Sequence, residues 1–181
     1  MAFASPGSAI RRALSFRELE IIERTDAGHT LEIRLAAGAD AEALTALYRQ
    51  LTGDARTRVL PERLDALADG ARAQVLVCAC GAELAGTAWL GFCEDVMYGA
   101  QPFAVLENVV VDARWRGRGL GTALLREAER RSLARDCSKI MLLSSIGRED
   151  AHRFFLGAGF RGDAKRGFVK YRRDMGGDGH Q

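Results

Sequence analysis

The chain has 181 residues, of which 48% are hydrophobic and 28% are charged, and its formal net charge is +2. This length and apolar content suit one well-buried core and are too small for two full domains. Because the charges nearly balance, electrostatics gives no case for binding nucleic acid. No stretch approaches the roughly 20 apolar residues of a membrane span, and the N-terminus lacks the apolar region of a secretory signal. The composition therefore predicts a cytoplasmic protein with neither nucleic acid nor membrane as a partner.

The cysteines give no sign of a metal site or of a disulfide framework. None of the four forms a C-x-x-C pair, and they are scattered over the predicted strands and one loop: Cys78, Cys80, Cys93 and Cys137. Reduced thiols in a cytosolic protein are the simpler interpretation, so we predict no metal.

The N-terminal half alternates between strand and helix patterns. Apolar and polar residues alternate over residues 31–35, which predicts a strand. Asp40 is placed to N-cap the following helix, and Pro61 stands in the first turn of a second one. Two apolar runs, residues 74–80 and 84–93, are joined by a glycine-bearing turn and predict a hairpin.

The C-terminal half continues with a strand over residues 102–112 and a helix from Gly119 to about Arg135. A strand over 139–145, a helix over 149–157 and a final strand over 167–172 follow. These patterns together predict an α/β sandwich with a mixed, mostly antiparallel sheet of six or seven strands and about four flanking helices.

The termini are predicted to lie outside this domain. Residues 1–30 form an N-terminal extension, in which the amphipathic pattern of residues 14–23 predicts a short helix. The domain itself covers residues 31–173. The glycine-rich residues 174–181 are predicted to be a flexible tail.

The most informative segment is residues 108–125, where an apolar strand passes through a short loop into Gly117, Gly119 and Gly121 and then into a helix. Such a turn leaves several backbone N–H groups unpaired at the positive end of a helix dipole. Glycine also lets the backbone approach a ligand closely and adopt positive φ. The segment therefore predicts a site for a phosphorylated cofactor.

Two common phosphate-binding motifs do not fit this turn. A Walker P-loop requires a lysine after the glycines, and none is present. A dinucleotide fold requires G-x-G-x-x-G directly after a strand, and an acidic residue about 20 residues later. Here the spacing is G-x-G-x-G after a four-residue loop, and serine follows the next strand.

A third motif does fit. Arg116-x-x-Gly119-x-Gly121 after Val-x-Val-Asp resembles the [Q/R]-x-x-G-x-[G/A] signature of the GNAT superfamily of N-acetyltransferases, whose loop cradles the pyrophosphate of acetyl-CoA. Residues 148–160 resemble the later family motif R-x-x-A-x-x-F-Y-x-x-x-G-F at every fixed position except one. Residues 106–111 with 137–140 resemble glucosamine-6-phosphate N-acetyltransferases, and residues 150–156 resemble aminoalkylphosphonate N-acetyltransferases.

The resemblance implies a GNAT-like sandwich and a set of residues that bind acetyl-CoA. In this family, loop amides and basic side chains hold the pyrophosphate, and the preceding strand pairs its backbone with the pantetheine arm. Carried over by position, the cofactor-binding residues are Val109, Val110, Val111, Arg116, Gly117, Arg118, Gly119, Leu120, Gly121, Thr122, Arg148 and Phe155.

Acetyl transfer also requires an unprotonated amine. Deprotonating an alkylamine with a lysine-like pKa costs roughly 4–5 kcal/mol at pH 7, which a carboxylate acting through water can help to supply. Glu107 is the predicted catalytic base, because it precedes the pantetheine-binding valines by two residues. Phe155 occupies the position where the family commonly has a tyrosine that protonates the leaving thiolate, so the identity of the general acid stays open.

The sequence thus predicts an acetyl-CoA-dependent N-acetyltransferase that acetylates a primary amine of a small molecule by direct attack in a ternary complex. One alternative is an anionic acceptor, whose negative charge Arg56 and Arg58 would bind. Whether the protein forms a homodimer also stays open. Two rival functions are a non-catalytic domain that binds or senses acyl-CoA, and a protein N-acetyltransferase.

Overall fold

The computed structural model describes residues 21–24, for which only the backbone is considered, 30–67 and 70–175. The chain forms two compact units, residues 1–140 and 141–181. No helix among the described residues is long and apolar enough to cross a membrane.

A six-stranded sheet organises the chain, with its strands side by side in sequence order. The first five strands pair antiparallel. Beside the fifth strand, the Ser138 N–H donates to the Pro102 carbonyl at 2.8 Å and the Ala104 N–H donates to the Lys139 carbonyl at 2.9 Å. Both segments advance in the same direction there, so the sheet is mixed. The strands are β1 (Ile21–Arg24), β2 (Thr30–Leu35), β3 (Ala73–Cys80), β4 (Glu83–Cys93), β5 (Phe103–Val111) and β6 (Ile140–Leu142).

The described residues contain four helices: α1 (Ala41–Thr52), α2 (Pro61–Ala66), α3 (Leu120–Ala134) and, in the second unit, α4 (Glu149–Gly157). Together with the sheet they form the predicted α/β architecture. Helix α2 begins with Pro61 at its first turn, where the missing N–H costs nothing. The β3–β4 hairpin turns at Gly81, whose φ of +62° lies in the left-handed region that glycine adopts readily.

The two faces of the sheet in the first unit pack against different helices. On one face, Val75 and Val77 of β3 join Leu44 of α1 and Leu64 of α2 in a buried apolar cluster. On the other face, a Cβ built on Gly86 would lie 3.3 Å from Leu124 of α3. All eight residues of β3 are buried, as expected for a strand covered on both sides. Helices α1 and α2 therefore form one layer and α3 the other.

Several predicted elements differ from the observed ones near the chain ends. Ile21–Glu23 lie in β1, where Ile21 pairs with Ile33, so the helix predicted over 14–23 is wrong at its end. Residues 14–20 of that helix lie outside the described residues, as do residues 176–181 of the tail. The predicted boundaries at residues 30 and 173 stay predictions. Strand β6 is also shorter than the predicted 139–145.

The strand predicted over residues 167–172 is wrong. Residues 167–171 are irregular, and a 3-10 turn covers Arg172–Asp174. Phe168 is 87% exposed and Val169 61% exposed. Alternation of apolar residues favours a strand only where a neighbouring edge buries one face, and here these side chains are not buried.

Asp40 also behaves differently from the prediction. It stands at the N-cap position of α1, but its side chain makes no hydrogen bond to the first turn. Its carboxylate instead accepts the Ala37 N–H at 2.8 Å and both terminal nitrogens of Arg34 at 2.7 and 2.9 Å. Asp40 therefore ties the end of β2 to the start of α1.

Candidate functional site

Strand β5 contains a β-bulge at the centre of the candidate site. Trp89 of β4 pairs with Glu107, but Thr87 pairs with Val110, so β5 has one extra residue between these two positions. Asn108 lies in this bulge with a φ of +53°, which is rare for a residue other than glycine. A bulge re-aims the side chains and backbone groups of its strand, and bulges are frequent beside active sites.

Glu107 directly precedes the bulge and is partly buried. Burial raises the pKa of its carboxyl group above the ordinary value, because the charged form loses hydration. Its cross-strand partner is Trp89, which packs against the cluster that α1 and α2 cover, so Glu107 lies on the α1/α2 face. A carboxylate with a raised pKa is well suited to accept a proton near neutral pH.

The three valines after Asn108 continue β5 toward the glycine turn. Val110 pairs with Thr87 and is buried, and Val111 pairs with Gly86. The Arg116 Nε–H donates to the Val111 carbonyl at 3.2 Å, so the predicted phosphate-binding arginine is tied to the end of the strand.

Asp112 fixes the junction between β5 and the glycine turn. Its carboxylate accepts from the backbone N–H of Arg114 at 2.9 Å, from the Arg114 guanidinium at 3.1 Å and from Gln50 Nε2 at 3.1 Å. These bonds, led by that from the Arg114 side chain, lower the pKa of Asp112 to about 2. Arg114 also pairs with Glu83, and Gln50 Oε1 accepts the Ala113 N–H at 3.3 Å.

Sequence reasoning missed this junction. An aspartate two residues before an arginine at a strand end is a signal for a local turn in which the carboxylate accepts a backbone N–H. Gln50 lies in α1, 62 positions before Asp112, so no local sequence pattern predicts its hydrogen bond to that carboxylate.

The glycine turn leaves open space beside the start of α3. Gly117 and Gly119 have φ values of +72° and +83°, and a Cβ built on either meets no heavy atom within 4 Å. Gly119 is the N-cap of α3, no side chain caps this helix, and its first turn holds no acidic residue. The first intrahelical bond runs from the Ala123 N–H to the Gly119 carbonyl at 3.0 Å. The preceding N–H groups therefore lie at an open, positive helix end.

Some side chains of the turn are buried in the core and others are exposed to solvent. Leu120 is 1% exposed and anchors the start of α3 in the core. The Arg118 guanidinium lies 4.9 Å from the centre of the Trp115 ring, which holds a cation at the edge of the turn. Thr122 is exposed in the first helical turn, and Gly121 is partly buried. The residues present thus fit an anionic diphosphate group.

The second unit contains the two remaining predicted site residues. Arg148 is the N-cap residue of α4, and its carbonyl accepts the His152 N–H at 3.0 Å. The Phe155 ring packs against Phe154 and Phe160, with ring centres 5.3 and 5.9 Å apart. The roles of Arg148 and Phe155 toward acetyl-CoA stay predictions.

Within the described part of the chain, no group of three or more His, Cys, Asp or Glu side chains could hold a metal ion.

Comparison with known proteins agrees with the fold. Residues 41–160 match the model of the acetyltransferase (GNAT) family, and the chain belongs to this family. It is 32% identical to an aminoglycoside N(6')-acetyltransferase type 1 from Stenotrophomonas maltophilia over 130 residues, which are 71% of this chain and 84% of that protein.

Solved structures show the same architecture. A putative acetyltransferase from Agrobacterium tumefaciens is 27% identical with a TM-score of 0.69, over 77% of this chain and 99% of that one. An aminoglycoside N-acetyltransferase solved with CoA shares the fold at 18% identity and a TM-score of 0.67, over 80% of this chain and 97% of that one. The protein is an N-acetyltransferase, and acetyl-CoA is its acyl donor.

Proposed function

We propose that this protein acetylates a primary amine of a small molecule by direct attack in a ternary complex. The proposal is supported by the position of one carboxylate relative to the glycine turn. A carboxylate with a raised pKa, Glu107, stands at a β-bulge in the same strand that leads into the open glycine turn. Glu107, where the acceptor amine would bind, and the glycine turn, where the cofactor would bind, are thereby connected by a few residues of β5.

Acetyl-CoA supplies an acetyl group activated as a thioester. The backbone N–H groups from Gly117 to Thr122 would hold its pyrophosphate, with Arg116 and Arg118 adding positive charge. Val109, Val110 and Val111 would offer their backbone to the pantetheine arm. Arg148 and Phe155 are included as further cofactor-binding residues because of the sequence motif alone.

Glu107 acts as the base in this proposal. It takes a proton from the acceptor ammonium, directly or through one water, so that the nitrogen lone pair becomes available for attack. Because burial already raises its pKa, the difference from the amine's pKa is smaller than for an exposed carboxylate.

The bulge also offers a way to stabilise the charge on the thioester oxygen. The extra residue in a bulge interrupts the regular ladder, so its backbone groups need not pair with the neighbouring strand. A backbone N–H next to Asn108 would act there as an oxyanion donor.

The leaving thiolate needs no dedicated acid in this proposal. Phe155 has no proton to donate at the position where the family commonly has a tyrosine. An aliphatic thiol has a pKa of about 8.5, so its thiolate is a tolerable leaving group near neutral pH and can be protonated by water.

A small-molecule acceptor is supported by the relative from Stenotrophomonas maltophilia, whose name gives an aminoglycoside as its substrate. An anionic acceptor is less well supported. Arg56, one of its two predicted partners, forms hydrogen bonds at 2.8 to 3.2 Å with Asp54, which already supplies a negative charge.

A panel of amines tests the proposal by release of free CoA thiol. The panel contains amino sugars, aminoglycosides, aminophosphonates, polyamines and a peptide with a free N-terminus. We expect release with small amines and a mass increase of one acetyl group in the product. Binding of acetyl-CoA without release from any amine would support a sensor, and release with the peptide alone would support a protein acetyltransferase.

A further inference from the structure

A transverse row of side chains crosses the sheet on the α1/α2 face and ends at the proposed base. Val75 of β3 pairs with Trp89 of β4, and Trp89 pairs with Glu107 of β5. Residues directly opposite in antiparallel strands have Cβ atoms about 4.5–5.5 Å apart and point to the same side. Trp89 is therefore the immediate lateral neighbour of Glu107.

The indole of Trp89 lies along its strand instead of standing away from the sheet. A Cβ built on Gly91 would come within 2.3 Å of Cη2 and 2.6 Å of Cζ3 of this ring. Gly91 is two residues further along β4, on the same face, so the six-membered part of the indole covers it. Any side chain at position 91 would displace the ring.

The indole of Trp89 is neither fully buried nor fully exposed. Trp89 contacts the buried cluster that includes Leu44 and Val75, yet it is only partly buried. Tyr48 of α1 and Val59, in the segment before α2, pack against the same cluster and so lie on the same face of the sheet. The indole therefore begins beside Glu107 and extends along β4 over Gly91, on the face that α1 and α2 cover.

We propose that Trp89 determines acceptor specificity as a platform for the ring of an amino sugar, with Gly91 holding the indole flat. This proposal rests on the proposed function. The apolar C–H face of a saccharide ring would stack on the indole by dispersion, while its amine reaches Glu107. A second protonated amine on the same sugar would gain a cation–π interaction. Acyclic amines would reach Glu107 but leave the platform unused.

The test compares ring-containing and acyclic acceptors in matched variants. CoA release is measured with glucosamine and kanamycin, and with ethanolamine as the acyclic probe, for wild type, Trp89→Leu, Trp89→Phe and Gly91→Ala. For the two amino sugars we expect Trp89→Leu to raise KM by roughly 5- to 10-fold, and Trp89→Phe to retain part of the affinity. Gly91→Ala should raise the same KM values, because it moves the ring without removing it.

Two controls separate specificity from folding. KM for ethanolamine and Kd for acetyl-CoA should stay within about twofold of wild type in each variant. Equal losses for cyclic and acyclic amines, unchanged KM for the amino sugars, or turnover of ethanolamine but not of amino sugars would each overturn the platform. If no amine releases CoA from the wild type, the proposed function fails first.

A binding measurement keeps the proposal testable if Trp89→Leu does not fold. In the Trp115→Phe variant, Trp89 is the only tryptophan left, because the chain has two. Titration with glucosamine in the presence of CoA should then change the Trp89 emission with saturation. Emission that stays constant while glucosamine is turned over would contradict contact with the ring.

Discussion

The carboxyl end of β5 and the bulge at Asn108, three residues earlier, form the site from different groups of atoms. At the carboxyl end, backbone N–H groups and open space around Gly117 and Gly119 define the site. At the bulge, the side chains of Glu107 and Trp89 define it, and they meet only because β4 and β5 pair in one register. One region binds with the main chain and the other acts with side chains.

This difference separates the effects expected from mutation. A change in the glycine turn should alter the affinity for acetyl-CoA, whereas a change at Glu107 should alter turnover. A variant that affected both quantities equally would show that the two regions are not independent.

The largest effect is expected from Gly119→Glu. A side chain at φ +83° is strained, and its carboxylate would place negative charge at the helix end that is proposed to hold a diphosphate. We expect acetyl-CoA binding to be lost by calorimetry, at least 100-fold in Kd. The matched control is Gly99→Glu in the β4–β5 loop, where φ is +71° and the space is equally open. Unchanged affinity in a folded Gly119→Glu variant would refute the assignment of this turn.

The second effect concerns the proposed base. Glu107→Gln should lower kcat/KM by about 100-fold near pH 7 while leaving Kd for acetyl-CoA unchanged. The pKa of Glu107 is raised, so the wild-type rate falls as pH drops through that value. The loss should shrink toward high pH, where the amine deprotonates unaided. Glu42→Gln, an exposed α1 carboxylate, is the control. A pH profile identical to wild type would remove Glu107 from this role.

The third effect concerns the junction that supports the turn. The folded pKa of Asp112 is about 2, below its ordinary 3.8, so its ionised form stabilises the folded state. This contribution is complete above about pH 4 and is lost as pH falls toward 2. In Asp112→Asn, thermal unfolding should depend less on pH in that window, and Kd for acetyl-CoA should rise several-fold at pH 7. Asp163→Asn, an exposed carboxylate, should leave both quantities unchanged.

The smallest effect is expected from Phe155→Tyr. If protonation of the leaving thiolate limits the reaction, a restored hydroxyl should raise kcat up to about 10-fold, mainly below pH 8.5. Our proposal has no dedicated acid and predicts a change below twofold. A large increase would show that the missing donor limits the native enzyme.

The same contrast explains which features could be predicted from sequence. The glycine turn and helices α1, α3 and α4 depend on local spacing and turn chemistry, and each was predicted within a few residues. Strand β1 and the irregular residues 167–171 depend on whether an edge is available for pairing, which local pattern does not specify. Glu107 was predicted as the base from its position two residues before the valines of β5, and that role stays a prediction. Asn108, Trp89 and Gln50 were missed, because their roles come from register and tertiary contact.

Amide chemical-shift mapping with CoA tests the central claim most directly, because it reads the backbone donors themselves. In the uniformly ¹⁵N-labelled protein, the account predicts that the largest and saturable shifts fall on the N–H groups from Gly117 to Thr122. Smaller shifts should follow along Val109 to Val111. Saturable binding whose largest shifts lie elsewhere in the chain, with the turn unaffected, would contradict it.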